Sequence, residues 1–286
     1  MADNRPIGVF DSGIGGLTVL REIIARLPSE STVYFGDDGR APYGSKSHDT
    51  IIRYSLQDMA FLEGKDVKMI VVACNTASTH AYKALKERSK VPVVEVVYPG
   101  ARAAVEKTRS GRIGIIATNA TVSSGLYETA VREQAQILLN EGRNTEALDK
   151  LSIIQQACPL FVSLAEEGWW DDEVATLAAE RYLTPLKEFG VDTLVLACTH
   201  YPLLAGTISK VMGPDVTLIN SGVSVASVVE RKLRENDLLS DGMNVFREFY
   251  TSDDASKFES VASPFLGSGL PSGTKKVTVD HFEVGV

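Results

Sequence analysis

An apolar, β-branched run, Met69-Ile-Val-Val-Ala73, ends abruptly in a thiol, an amide and a hydroxyl at Cys74, Asn75 and Thr76. This pattern is typical of a strand that is buried on both faces of a parallel sheet and delivers polar groups at its carboxyl end. Open α/β sheets bind their ligands at the carboxyl ends of such strands. The stretch therefore predicts an α/β architecture with a candidate site at this edge.

The same form recurs later in the chain. Thr193-Leu-Val-Leu-Ala197 is an apolar run that leads into Cys198, Thr199 and His200. A single cysteine at a strand end is most often a small buried hydrophobe. Two matching cysteines, each followed at once by polar residues, favour a functional pair. They also suggest two similar units, whose strand ends could bring Cys74 and Cys198 to a shared cleft from opposite sides.

Strands alternate with helices along the rest of the chain, which favours α/β with mainly parallel sheets. Besides the two cysteine strands, we predict strands at residues 6–10, 31–36, 91–97, 112–117, 151–157, 215–219 and 245–250. We predict helices at residues 17–27, 47–62, 77–88, 171–189, 223–235 and 253–266, and one that Pro99 opens. Residues 138–150 are polar and predicted to be a surface excursion, and the tail after Gly267 is predicted to be loosely packed.

Charge and composition exclude several classes of partner. The formal net charge of −8 over 286 residues argues against a nucleic acid held by charge alone. No apolar run approaches the length of a membrane span or a signal peptide, so we expect a cytoplasmic protein without a membrane partner. The three cysteines are widely separated and have no Cys-x-x-Cys spacing, which indicates reduced thiols rather than disulfides or a zinc site.

A glycine-rich turn, Asp11-Ser12-Gly-Ile-Gly-Gly16, follows the first predicted strand. Such a turn can offer free backbone N–H groups to an anion, or it can simply need glycine for its backbone angles. A dinucleotide fingerprint is disfavoured, since Thr18 stands where its third glycine belongs. The loop at residues 37–46 lies at the same predicted sheet edge, and it either covers a ligand or is a plain surface turn.

A cleft with two opposed thiols suits a small, charged, chiral substrate such as an amino acid, whose α-proton is hard to remove because the carbanion next to a carboxylate is poorly stabilised. Enzymes usually remove the α-proton of an amino acid with pyridoxal phosphate on a lysine, but no lysine here is placed at a strand end beside a phosphate-binding loop. The remaining route is general acid–base catalysis, in which one thiolate removes the proton and the other thiol returns one. Asp11 and His200 are the candidate assistants, one for each thiol. We therefore expect neither an organic cofactor nor a metal.

Several long motifs, in the same order, resemble the glutamate racemases of the aspartate/glutamate racemase family. The resemblance runs from Gly8 to about Gly267. Its motifs are Gly-Val-Phe-Asp11-Ser12-Gly-Ile-Gly-Gly, Tyr-Phe-Gly-Asp37…Arg40-Ala-Pro42-Tyr43-Gly44, Val-Val-Ala-Cys74-Asn75-Thr76-Ala, Ala-Cys-Pro-Leu-Phe-Val…Glu166 and Ala-Cys198-Thr199-His200-Tyr-Pro-Leu-Leu.

The resemblance implies a cofactor-independent enzyme that supplies D-glutamate for peptidoglycan. Cys74 would act on D-glutamate with Asp11 in support, and Cys198 on L-glutamate with His200. Asp37 and Glu166 match the positions of further acids. Matching substrate-binding positions are Asp11, Ser12, Pro42, Tyr43, Gly44, Asn75, Thr76, Thr118, Thr121, Thr199 and His200.

The family fold implies two α/β domains with pseudo-twofold symmetry, at residues 1–98 with 220–286 and at residues 99–219, and an active site in the cleft between them. Family members are commonly homodimers. The segment at residues 138–150 is longer than the family pattern, which bears on the dimer geometry or local packing rather than on the chemistry.

Three alternatives stay open from the sequence. The chain could racemise aspartate or a related substrate, although the Pro42-Tyr43-Gly44 loop and the Cys-Thr-His-Tyr-Pro run favour glutamate. It could bind a carboxylate without turning it over. It could also be a redox protein, which predicts a reversible disulfide between Cys74 and Cys198.

Overall fold

The computed structural model describes residues 2–270 and 273–284, in which strands and helices alternate. The strands are β1 (Ile7–Asp11), β2 (Thr32–Gly36), β3 (Met69–Val72), β4 (Val93–Glu95), β5 (Arg112–Ala117), β6 (Ser152–Ala157), β7 (Thr193–Ala197), β8 (Thr217–Asn220), β9 (Arg247–Thr251) and β10 (Thr274–Lys276). The helices are α1 (Leu17–Arg26), α2 (His48–Glu63), α3 (Asn75–Arg88), α4 (Val97–Lys107), α5 (Asn119–Ser124), α6 (Leu126–Asn140), α7 (Thr145–Leu148), α8 (Leu160–Glu166), α9 (Glu173–Phe189), α10 (Ala205–Met212), α11 (Ser221–Glu235) and α12 (Ala255–Leu266).

The chain forms two compact units, residues 1–96 with 222–286, and residues 97–221. The first contains a six-stranded sheet of order β10-β9-β2-β1-β3-β4, and the second a four-stranded sheet of order β6-β5-β7-β8. Every strand pairing in the described residues is parallel. The predicted fold class, α/β with mainly parallel sheets in two units, is confirmed.

The two sheets share a strand order around their centres. The run β2-β1-β3-β4 in the first unit corresponds to β6-β5-β7-β8 in the second. Phe10 of β1 pairs with Val72 of β3, and Ala117 of β5 pairs with Ala197 of β7. The cysteine strands β3 and β7 therefore occupy equivalent places, and each delivers its thiol beside the end of a central strand.

Each unit has its own apolar core. All residues of β1 and β3 are buried, as expected of strands that are covered on both faces by helices. Phe10, Val72 and Leu62 belong to the core of the first unit. Ile115 and Tyr127 belong to that of the second. None of the helices in the described residues has both the length and the apolar character needed to cross a bilayer.

Two of the helix starts that differ from the prediction have a local cause. Helix α3 begins at Asn75 rather than at residue 77, because Cys74 itself is the capping residue. Helix α4 begins at Val97, so Pro99 lies within its first turn rather than opening it. Proline is tolerated there because the first N–H groups of a helix have no intrahelical partner.

Two segments are more ordered than predicted. Residues 138–150 contain the short helix α7, whose Ala147 and Leu148 are buried, so this mostly exposed excursion is anchored to the core by apolar side chains. The prediction of a loosely packed tail is wrong for residues 273–284, since β10 pairs with β9 and Val279 is buried. The tail residues 271–272 and 285–286 lie outside the described residues.

Candidate active site

Cys74 joins β3 to α3 in the first unit. Its sulfur accepts a hydrogen bond from the backbone N–H of Ala77 at 3.4 Å and thereby caps the helix. Its thiol donates to Oγ of Ser12, also at 3.4 Å. The side chain is only 5% exposed. The local structure thus fixes the thiol at the carboxyl edge of the sheet, where the sequence placed it.

Asp11 ends the neighbouring strand β1 and is fully buried. Its Oδ2 accepts a hydrogen bond from the N–H of Gly13 at 3.1 Å. Burial, and next the negative charge of Asp11, raise the pKa of Cys74 to about 12, against the smaller effects of the Ser12 and Ala77 hydrogen bonds. Cys74 therefore rests as a neutral thiol, which is a proton donor.

The glycine-rich turn after β1 is explained at Gly16 by close packing. A Cβ atom at Gly16 would lie 2.5 Å from Cβ of Asp11 and 2.8 Å from the hydroxyl of Tyr34. That hydroxyl in turn donates to the carbonyl oxygen of Gly13 at 2.6 Å. Glycine is thus required at position 16 for the approach of the turn to Asp11.

The other candidate residues of this edge lie close along the chain to Cys74 and Asp11. Asn75 and Thr76 are the first two residues of α3 and are buried, so they lie at the positive end of the helix dipole. Ser12 is partly exposed and contacts the thiol directly. Asp11, Ser12, Cys74, Asn75 and Thr76 are therefore brought together at the ends of β1 and β3.

Cys198 follows β7 in the second unit and is 7% exposed. Nδ1 of His200 lies 3.8 Å from its sulfur and 3.4 Å from the hydroxyl of Thr199. Nε2 of the same ring lies 2.9 Å from Oε1 of Glu166, at the end of α8. The structure thus connects Cys198, His200 and Glu166 in one chain of contacts.

His200 has the opposite electrostatic effect from Asp11. Burial lowers its pKa, but the hydrogen bonds with Cys198 and Glu166 outweigh burial and raise the pKa to about 10. The ring is therefore an imidazolium at neutral pH. A cation beside a cysteine stabilises the thiolate. His200 thus places a positive charge beside Cys198, whereas Asp11 places a negative charge beside Cys74.

Thr118 and Thr121 lie at the end of β5, beside the Cys198 strand. The hydroxyl of Thr118 caps α5 by accepting from the N–H of Thr121 at 3.4 Å, and the two hydroxyls lie 3.1 Å apart. The third cysteine, Cys158, is completely buried after β6. Burial raises the pKa of its thiol, which fits the structural role of a small hydrophobe.

The loop after β2 holds the remaining candidates. Asp37 is fully buried, Pro42 is exposed and Tyr43 is almost completely buried. The hydroxyl of Tyr43 contacts Asp37 and also Asp58, at 2.9 Å from Oδ2 of the latter. The hydroxyl of Tyr43 is therefore engaged by the two buried acids, whereas Pro42 in the same loop is exposed.

Sequence reasoning missed Asp58. This aspartate lies within α2 on a polar stretch, Ser55-Leu-Gln-Asp58, which by periodicity alone looks like a solvated helix face. The structure buries it completely against Asp37, Arg40 and Tyr43. Within residues 2–270 and 273–284, no group of three or more histidine, cysteine or acidic side chains is arranged to hold a metal ion.

Comparison with known proteins places this geometry in a family. Residues 7–229 match the family model of the Asp/Glu/Hydantoin racemases, which is well over half of the chain. The chain belongs to this racemase family. It is therefore an isomerase of the racemase class, as the resemblance in the sequence indicated.

Three relatives show how far the similarity extends. The chain is 48% identical to a glutamate racemase of Geobacter metallireducens, over 93% of this chain and 94% of that protein. A crystal structure of a glutamate racemase from Bacillus anthracis superposes with a TM-score of 0.88 at 38% identity, covering 97% of this chain and 98% of that one. The structure of a Francisella tularensis glutamate racemase with D-glutamate gives 0.87 at 35% identity, covering 98% and 100%.

Proposed function

We propose that the protein is a cofactor-independent glutamate racemase that interconverts L- and D-glutamate with two cysteines. One observation carries the proposal: Cys74 and Cys198 end equivalent strands of the two sheets, and their neighbours differ in charge. Asp11 favours a thiol at the first and His200 favours a thiolate at the second. A two-base racemase needs one group in each of these states at the start of a turnover.

In the L-to-D direction, the Cys198 thiolate removes the α-proton and becomes a thiol. The α-carbanion then takes the proton of the Cys74 thiol on its opposite face, which leaves a Cys74 thiolate and inverted glutamate. The enzyme returns to its resting state when Cys74 regains a proton and Cys198 loses one. Asp11 and the His200–Glu166 pair are the groups placed to carry these protons.

In this proposal, most of the hydrogen bonds to the substrate carboxylates come from neutral donors. Backbone N–H groups and hydroxyls at the two strand edges would bind the carboxylates and stabilise the charge that develops next to the α-carboxylate. The side chains of Asn75 and Thr76 stand at a helix start, where an anion is favoured. The proposed substrate-binding residues are Asp11, Ser12, Pro42, Tyr43, Gly44, Asn75, Thr76, Thr118, Thr121, Thr199 and His200.

Glutamate is proposed as the substrate because the relatives that cover more than nine tenths of this chain at 41–48% identity are named glutamate racemases. The match to an aspartate racemase of Picrophilus torridus, at 17% identity and a TM-score of 0.58, shows only a shared fold. Aspartate is therefore the control substrate.

The test is incubation of the purified protein with L-glutamate in D₂O, with EDTA and without pyridoxal phosphate. Optical rotation and the α-proton NMR signal are followed together. Loss of rotation with deuterium at the α-carbon establishes racemisation by proton abstraction without an added cofactor. An unchanged rotation and a retained α-proton contradict the proposal, and the same experiment with aspartate then distinguishes a wrong substrate from a wrong reaction.

Three further features belong to the proposal. The product would serve peptidoglycan synthesis, and the need for free thiols at Cys74 and Cys198 supports a reducing, cytoplasmic location. A homodimer is supported by the exposed apolar side chains of Leu160, Val174 and Leu177, which line one depression on α8 and α9. Light scattering across a range of concentrations tests it, and a monomer throughout would contradict it.

A further inference from the structure

A buried cluster of two carboxylates, one guanidinium and one phenol lies under the loop that carries Pro42 and Gly44. Arg40 donates from Nε to Oδ2 of Asp37 at 2.7 Å and from Nη2 to Oδ1 of Asp58 at 2.9 Å. The hydroxyl of Tyr43 lies between Oδ2 of Asp37 and Oδ2 of Asp58. Asp37 and Asp58 are both fully buried.

Each short contact of this cluster has a hydrogen-bond donor only if one of the two acids is protonated. A phenol has a single O–H and can donate to one carboxylate at a time. Tyr43 nevertheless lies within hydrogen-bond distance of a carboxyl oxygen on both sides. The second oxygen must therefore carry a proton and donate it to the phenol oxygen, because two facing acceptors would repel each other.

The donor count decides which acid is neutral. Asp37 receives hydrogen bonds from Arg40, from Tyr43 and, at 2.8 Å, from the hydroxyl of Ser252. Asp58 receives one from Arg40 and has Tyr43 as its other contact. Three donors stabilise a negative charge better than one. Burial, and next the charge of Asp37, also raise the pKa of Asp58 well above its usual value.

We propose that Asp58 is a neutral carboxylic acid in the folded protein and that its proton, donated to Tyr43, fixes the loop from Ala41 to Gly44. Asp58 is then a positioning residue. Oδ2–H of Asp58 donates to Tyr43, Tyr43 donates to Asp37, and Arg40 neutralises the one remaining negative charge. The effect of Asp58 on turnover rests on the proposed racemase function, whereas its protonation does not.

Arg40 is held in place independently of the two acids. Its Nη1 donates to Oε1 of Gln57 at 2.5 Å and to Oδ1 of Asp280 at 3.2 Å, and its guanidinium lies 4.2 Å from the centre of the Tyr54 ring. Gln57 also donates to the carbonyl oxygen of Phe282 at 3.1 Å. The carboxyl-terminal segment thus buttresses the arginine that both acids share.

The main charged or titratable groups around Asp58 in the described residues lie on three segments besides its own helix. They are Asp11 at the end of β1, the loop residues Asp37, Arg40 and Tyr43, and Asp280, which reaches it through Arg40. Arg40 is the sole cation among them. Ionisation of Asp58 would add a second negative charge around one guanidinium and remove the donor to Tyr43.

The direct test is the ¹³C NMR shift of the Asp58 side-chain carboxyl, assigned through its own backbone. At pH 7 the shift is expected at the position of a protonated acid. The exposed carboxyl of Asp49, on the same helix, serves as the internal reference for an ionised aspartate. An Asp58 shift at the ionised position overturns the proposal.

The kinetic test compares an isosteric neutral substitution with an apolar one. Asparagine can accept from Arg40 and donate to Tyr43, so Asp58→Asn is expected to keep kcat/KM within about threefold. Asp58→Leu removes one acceptor of Arg40 and the proposed donor to Tyr43, and is expected to lower kcat/KM by roughly 10²-fold, mainly through KM, because the loop moves. Equal damage by the two substitutions, or none by either, overturns the positioning role.

Two further measurements guard against misfolding as an explanation. Tyr43→Phe removes only the relay hydroxyl and should show the same rise in KM as Asp58→Leu. A fall of kcat/KM as Asp58 ionises at alkaline pH should be present in the intact enzyme and absent from Asp58→Asn.

A protonated Asp58 in a protein that fails to racemise glutamate refutes only the proposed function. Racemisation with an ionised Asp58 refutes only this inference.

Discussion

The two cysteine sites share a strand position and a sequence motif but differ in charge. Cys74 has a buried carboxylate, Asp11, as its neighbour, and its pKa is raised to about 12. Cys198 has an imidazolium, His200, which is paired with Glu166. One Ala-Cys motif thus has two different electrostatic surroundings, because the side chain beside the thiol, rather than the strand, supplies the neighbouring charge.

This difference matters for a reaction that runs both ways. Two identical thiol sites would both start as donors or both as acceptors, and a two-base reaction needs one of each. In the proposed mechanism, the opposite charges of Asp11 and His200 would distinguish the two thiols before the substrate binds. The predictions below test the asymmetry, beginning with the largest expected effect.

Replacement of either reactive cysteine should abolish racemisation. We expect Cys74→Ser and Cys198→Ser each to lower kcat by roughly 10³-fold or more, because a hydroxyl is a far weaker acid and base at neutral pH. Cys158→Ala is the control thiol substitution, since Cys158 is completely buried and its thiol donates to the carbonyl oxygen of Gln156 at 3.7 Å. Polarimetry measures the rates. A serine variant as active as the control would remove that cysteine from the mechanism.

Alkaline pH should destabilise the second unit through His200. Its folded pKa of about 10 exceeds the unfolded value near 6.5. The contribution of the protonated His200 to the free energy of unfolding is therefore complete below pH 6.5 and is lost as the pH approaches 10. Because Glu166 is half exposed, we expect a loss of roughly 2 kcal/mol in total rather than the full linkage value. Urea unfolding measured across this range tests it. His200→Gln should remove the slope, and an equal slope in that variant would assign it to another group.

A methyl group at position 16 should disturb the turn that packs against Asp11, whereas a methyl group at position 206 should leave the second unit undisturbed. Gly16→Ala places a Cβ 2.5 Å from Asp11, so we expect a loss of roughly 1–3 kcal/mol in the free energy of unfolding. Gly206→Ala in α10 meets nothing within 4 Å and should be neutral or slightly stabilising. Chemical denaturation compares the two variants. Similar free energies for both would show that the turn relaxes.

The opposite charges of Asp11 and His200 should make the two neighbouring thiols differ in reactivity. Both thiols are nearly equally exposed, so iodoacetamide is expected to modify Cys198 roughly tenfold faster than Cys74 at neutral pH. His200→Gln should slow modification of Cys198, and Asp11→Asn should accelerate that of Cys74. Mass spectrometry of timed samples gives both rates. Equal rates, or changes in the reverse direction, would contradict the assignment of thiol and thiolate.

The strands were predictable because their signal is local. The predicted strand 112–117 coincides with β5, and the apolar runs before Cys74 and Cys198 are β3 and β7. Helix starts were less predictable. Whether Cys74 ends a strand or caps a helix depends on one hydrogen bond from Ala77, which periodicity does not reveal. Order in the tail depends on pairing of β10 with β9, a contact remote along the chain.

The residues of the candidate site also differ in how clearly the sequence reveals them. Cys74, Cys198, Asp11 and His200 stand out in the sequence because polar residues interrupt apolar runs at strand ends. Their assignment to a mechanism stays a proposal, as does the division into domains. Asp58 gave no signal, because an aspartate within an amphipathic helix looks solvated unless its buried partners are known.

The sequence by itself determined the α/β class, the two thiols and the polar residues that follow them, since these depend on short apolar runs and their ends. Only the tertiary structure decided which charged side chain lies beside each thiol and which acids contact Tyr43. Those properties depend on burial and on neighbours from distant parts of the chain, such as Glu166 with His200, and Asp58 with Asp37. Electrostatic energies follow distance in space rather than separation along the chain.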